Sequence, residues 1–124
     1  MKKLVTTVLE SERVRDALVS VAFVGIATIS RLNKEFLSHA GSTDVISFAL
    51  DPHDRTLPVI GDIYICQGVA KRNAARLGIS LENELARLVV HGTLHMLGLE
   101  HPAGEARFSS LMWRKQERIL ESLH

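Results

Sequence analysis

TDVISFALDPHDRTLPVIGDIYI, residues 43–65, is the stretch that decides the fold. Two apolar, β-rich runs flank a polar stretch. Val45, Ile46, Phe48 and Leu50 make residues 44–50 read as a buried strand. VIGDIYI at 59–65 reads as a second strand, with Gly61 marking a bulge or a close backbone contact. Residues 51–58 are polar and contain Pro52 and Pro58, so they read as a loop. Asp62 is an odd residue for a buried strand. An edge position accounts for it more simply than a role beside a reactive centre.

Outward from this pair, strand and helix signals alternate. Residues 3–10 form a candidate helix. In 16–24, Val19, Val21 and Phe23 alternate as in a strand, and Gly25 breaks the run. Ile26, Ile29, Leu32, Asn33 and Phe36 recur at helical spacing, predicting an amphipathic helix over 26–38 that ends before Gly41-Ser42. Residues 68–77 are helical and closed by Gly78, a glycine where a helix turns left-handed. Ser80 is a good N-cap for a helix over 81–97, with Glu84 near its positive end. Residues 105–123 predict a last amphipathic helix in which Phe108, Leu111, Met112, Trp113, Ile119 and Leu120 read as core. The order helix, strand, helix, strand, strand and three helices predicts an α+β domain, a small sheet packed with about five helices.

The chain has 124 residues, the length of one domain, and 46% of them are hydrophobic. It can bury a core without disulfides. The lone Cys66 reads as a small buried hydrophobe, and the cytosol is the expected compartment. No long apolar run follows Lys2 and Lys3, so neither a signal peptide nor a membrane span is expected. The formal net charge is +1, so a nucleic-acid partner would be met by a local patch. Lys71, Arg72, Arg76 and Arg87 are the first candidates, although such clusters are commonly solvated faces.

The chemistry concentrates in HGTLHMLGLEH, residues 91–101. His91 and His95 are one helical turn apart and face the same way. Gly98 lets the chain reverse, bringing His101 back toward them. Three imidazoles can take three corners of a tetrahedron and leave the fourth for water or substrate, the layout of a catalytic zinc site. Ligand type alone also admits nickel, copper or iron. The spacing HxxxHxxGxxH is the metal-binding skeleton of the metzincin peptidases, but their glutamate after the first histidine is here Gly92. Glycine cannot take a proton from water, which argues against a peptidase. A carboxylate base must come from elsewhere. Glu100 is nearest, and it is equally suited to orient a histidine or to remain a surface charge. For Thr43, Asp44 and Ser47, turn or capping roles are the simpler expectation.

Three blocks in order, RLNKEF with STDVISFAL, GDIYIC and HGTLHMLGLEH, resemble the YbeY family of rRNA maturation factors, described as zinc-dependent endoribonucleases. The likeness runs from about residue 19 to 102, and the histidine block is its most specific part. The resemblance implies that residues 1–124 form one metal-dependent hydrolase domain with a small mixed sheet. It implies one catalytic Zn2+ per chain on His91, His95 and His101. It further implies maturation of small-subunit ribosomal RNA and ribosome quality control, with RNA and the small subunit as partners, beside ribosomal proteins or GTPases. The chain departs from the pattern at Leu37, where members usually carry an arginine, and at Glu100, usually aspartate. Ser42 and Ala49 stand where members usually have prolines.

The reaction expected is hydrolysis of a phosphodiester, with water or the RNA 2′-hydroxyl as nucleophile. Two other functions compete: a non-catalytic, zinc-stabilised ribosome-binding module, and a metzincin-like peptidase.

Overall fold

The computed structural model describes residues 2–38, 40–50, 58–99 and 110–123. Its elements are α1 (Lys2–Ser11), β1 (Ala17–Val24), α2 (Ile26–Leu37), β2 (Val45–Leu50), β3 (Val59–Cys66), α3 (Gln67–Leu77), α4 (Leu81–Met96) and α5 (Leu111–Ser122). The predicted element order holds. Residues 51–57 and 105–109, including Phe108, lie outside the described residues.

The three strands form one sheet in the order β1-β3-β2. β3 is central, parallel to β1 and antiparallel to β2, so the sheet is mixed. Period-two alternation sends Val59, Gly61, Ile63 and Ile65 of β3 to the face covered by α4. There they join Val89, Val90 and Leu94 of α4 in the main core, which also takes Val5 and Val8 of α1 and Met112, Ile119 and Leu120 of α5. Complete burial of side chains such as Ile63 and Leu94 stabilises the fold by about 1.5–3 kcal/mol each. On the opposite face, α2 sets Ile29 against Ile46 and Cys66, making a smaller cluster. Cys66 is fully buried, as its composition-based reading predicts.

α2 covers only one end of that outer face, and this corrects several expectations. Asp62 is not an edge residue. It sits on the middle strand, exposed on the uncovered part of the face, and accepts a hydrogen bond from the Ser20 hydroxyl of β1. The Ser20 hydroxyl and exposure to solvent spare the carboxylate an unpaired burial, so a central strand tolerates it. β2, in turn, is an edge strand rather than a buried one: Ile46 alone is buried, and Leu50 is largely exposed. Phe23, Ile26 and Phe36 are also exposed, because periodicity assigns a face but not the extent of what packs on it. Asn33 is buried and donates to the Gly41 carbonyl at 3.1 Å, fastening α2 to the turn before β2. On α5, Leu111 faces solvent while Met112, Ile119 and Leu120 are buried.

Gly61 is a point of close approach between α4 and the sheet, as its sequence position suggested. A β-carbon there would lie 2.6 Å from the Phe48 carbonyl oxygen and 2.5 Å from the Met96 sulfur. The thioether can move aside, but the carbonyl belongs to the β2–β3 ladder. Gly61→Ala is expected to destabilise the protein by about 1–3 kcal/mol, read as a lowered urea midpoint with an unchanged slope.

No helix among the described residues is long and apolar enough to cross a membrane.

Candidate functional site

α4 begins at a Ser80 cap, whose side-chain oxygen accepts the Asn83 N–H at 3.0 Å. The cap sets the helix phase, and the i, i+4 spacing then aligns Arg87, His91 and His95 along one face. All three line a cleft bounded by α3, α4, α5 and the start of β2. The His91 and His95 rings lie 4.8 Å apart, centroid to centroid, at 79°. Rings so placed can present nitrogens to one cation.

His91 is oriented from behind. Its Nδ1 is 2.6 Å from Gln116 Oε1 on α5. With the amide oxygen as acceptor, Nδ1 carries the proton and Nε2 the lone pair, the tautomer of a ligand histidine held by a hydrogen-bonding partner. Gln116 is 1% exposed, on the same face of α5 as Met112 and Leu120. It was missed in the sequence, where its signal was a polar residue at a core position of an amphipathic helix.

A polar chain forms part of the wall, beside Val45, Val69 and Leu88. Asn73 on α3 donates to Asp44 Oδ2 and to Glu84 Oε2, both at 3.2 Å. Arg87 Nη1 reaches Glu84 Oε1 at 3.4 Å, and its guanidinium carbon lies 5.6 Å from the Trp113 ring centre. Glu84, expected only as a charge at the helix start, is buried within this chain. Trp113, expected in the core, lines the cleft instead. Asp44 does not cap a turn through its side chain: the carboxylate is held by Asn73, and its backbone carbonyl accepts the Cys66 N–H at 2.9 Å. Thr43 lines the same cleft. Ser47 serves structure, donating to the Gly92 carbonyl at 2.8 Å and tying β2 to α4. The basic cluster divides: Arg76 and Arg87 line the cleft, while Lys71 and Arg72 are exposed on α3. Leu37, Arg31 and Lys34 are not among the described residues lining it.

Gly92 points the other way. A β-carbon there would meet Ile63 Cγ2 at 2.9 Å and Val45 Cγ2 at 3.0 Å. Position 92 therefore faces the sheet and has no access to the cleft. Gly98 takes φ +94°, and the N–H of Leu99 returns to the Leu94 carbonyl at 3.1 Å, so the chain reverses where the sequence predicted. The third expected ligand, His101, and Glu100 lie outside the described residues. Among the described residues, no group of three His, Cys, Asp or Glu side chains is placed to hold a metal. The two described imidazoles fit one, because their donor type, spacing and the Gln116 anchor all suit a ligand pair.

Fold and cleft together define a small α+β domain with a helix-borne histidine pair in a groove of mixed polar and apolar lining. Residues 1–124 match the family model for Endoribonuclease YbeY. A Thermotoga petrophila protein named Endoribonuclease YbeY is 36% identical over 112 residues, 90% of this chain and 71% of its own length. One of the same name from Staphylococcus carnosus is 40% identical over 126 residues, 96% and 81% of the two chains. A solution structure of a Thermotoga maritima protein superposes with a TM-score of 0.64 at 29% identity, covering 98% of this chain and 79% of that one. The chain belongs to the Endoribonuclease YbeY family.

Proposed function

We propose that this protein is a metal-dependent endoribonuclease that cleaves single-stranded RNA during maturation of small-subunit ribosomal RNA and in ribosome quality control. The observation that carries the reading is the imidazole pair on one face of α4, with His91 held through Nδ1 by buried Gln116. Family membership supplies the reaction class. In this reading, His91, His95 and His101 hold one zinc ion. The chemistry a zinc ion supplies is Lewis-acid polarisation and acidification of water to a pKa of about 7. Gln116 keeps the His91 donor nitrogen turned into the cleft. Glu100 accepts the proton of the attacking water or 2′-hydroxyl, or orients a ligand histidine. The partners are the ribosomal RNA and the small subunit, together with ribosomal proteins or GTPases, and the site of action is the cytoplasm.

Two measurements on one preparation test this: metal content by elemental analysis, and cleavage of a single-stranded ribosomal RNA fragment. Zinc bound near one per chain with metal-dependent cleavage supports the reading; zinc bound without cleavage moves it to the zinc-stabilised module.

Gln116 gives a finer test. Gln116→Leu is expected to weaken zinc binding about 10–100-fold, since outer hydrogen-bond partners of ligand histidines have effects of that size. Gln116→Glu retains an acceptor for Nδ1–H and should bind zinc more tightly than the leucine variant. Equal zinc affinity in the two variants would remove Gln116 from the site.

A further inference from the structure

Arg87 stands one helical turn before His91 and two before His95, on the same face of α4. Its side chain is 28% exposed and is constrained on two sides. Glu84, 4% exposed, engages Nη1. The guanidinium carbon lies over the Trp113 ring, 5.6 Å from its centre. Asn73 in turn steadies Glu84 from α3. The Glu84 bond uses Nη1, whereas a guanidinium carries five N–H donors in a fork that matches two oxygens of a phosphate. The ring contact and the Glu84 bond restrain the guanidinium, so less rotamer freedom is lost when an anion docks.

We propose that Arg87, held by Glu84 and Trp113, grips a phosphate of the RNA strand and so sets its register against the histidine pair. This rests on the ribonuclease reading above and adds a phosphate-binding residue to it. Asp44 and Glu84 share Asn73 as a donor in the same cleft, so Arg87 is a cation of a chain that also holds two carboxylates.

The test uses the zinc-loaded protein and its Arg87→Gln and Arg87→Lys variants. Glutamine keeps a planar group able to donate to Glu84 but removes the charge. Binding is followed by anisotropy of a fluorescein-labelled, fully 2′-O-methylated single-stranded RNA across a salt series, and cleavage is measured on the unmodified RNA. Arg87→Gln should weaken binding about tenfold and lower the salt dependence by about 0.7, the slope of one single-strand phosphate contact. Arg87→Lys should restore the salt slope without full affinity, because lysine is a point charge rather than a fork. KM should rise more than kcat falls. An unchanged salt slope in Arg87→Gln overturns the proposal, as does a wild-type protein that fails to bind the RNA. Equal losses in both variants, with lowered melting temperatures, assign Arg87 a structural role and overturn it as well. Wild-type binding with an Arg87-dependent slope but no cleavage keeps the phosphate grip and removes the ribonuclease. Cleavage that is indifferent to Arg87 does the reverse.

Discussion

Replacing His95 by alanine is expected to abolish both bound zinc and RNA cleavage while leaving the domain folded. His95 is half-buried and faces the cleft rather than the core, so its truncation leaves no cavity among Leu88, Val89, Leu94 and Met96. Alanine is also the better helix former. The thermal midpoint should therefore stay near that of the parent. The proposed zinc site would lose one of its two described histidines. Cleavage should fall more than about 100-fold, beyond what removal of an outer hydrogen-bond partner produces. Elemental analysis, an RNA cleavage assay and circular dichroism on one batch read all three quantities. Cleavage that survives the loss of metal would remove the ion from the mechanism.

Gly92→Glu should have the largest effect on stability. The substitution restores the residue that a metzincin peptidase carries after its first histidine. In this fold it would not create a base. Position 92 looks into the sheet, where even a β-carbon would press on Ile63 and Val45 at 2.9 and 3.0 Å. A carboxylate there would be buried between Ile63 and Val45, with only the Ser47 hydroxyl, already donating to the Gly92 carbonyl, as a polar neighbour. Burial would cost several kcal/mol on top of overpacking of about 1–3 kcal/mol. That sum is comparable with the whole stability of a domain, typically about 5–15 kcal/mol. The expected result is an insoluble or unfolded product, read by far-ultraviolet circular dichroism. A folded Gly92→Glu variant that cleaves peptides would restore the peptidase alternative.

The element order was legible because its signals are local. Ser80 caps α4, Gly78 and Gly98 take left-handed backbone, and Val59 to Ile65 alternate as in a strand packed on one side. The close approach at Gly61 was also readable, because a glycine inside a strand rarely has another reason to be there. Exposure was not legible, since it depends on how far a neighbouring element reaches. Phe36 repeats at helical spacing with Ile29, yet the former is 61% exposed and the latter fully buried. Asp62 looked like an edge residue because a carboxylate on a central strand requires an uncovered face, and only the tertiary arrangement shows one.

At the cleft, the histidine pair was legible from spacing alone, as i, i+4 geometry is independent of the rest of the fold. Its supporting groups come from other elements: Asn73 from α3, and Trp113 and Gln116 from α5. Gln116 lies 25 residues from His91 in sequence, and the pairing exists only because α5 packs on α4. Glu84 illustrates the same point, a charge expected at a helix start that is buried by Asn73 and Arg87.

The most direct test is to follow metal, fold and cleavage together as a chelator is titrated into the purified protein. α4 is packed through apolar contacts to the sheet, α1 and α5, so its core does not depend on an ion. Cleavage of single-stranded RNA should disappear in step with zinc, return when zinc is restored, and leave the circular dichroism spectrum essentially unchanged. Unfolding in step with zinc loss, or full cleavage by metal-stripped protein, would contradict a metal-dependent ribonuclease built on His91 and His95.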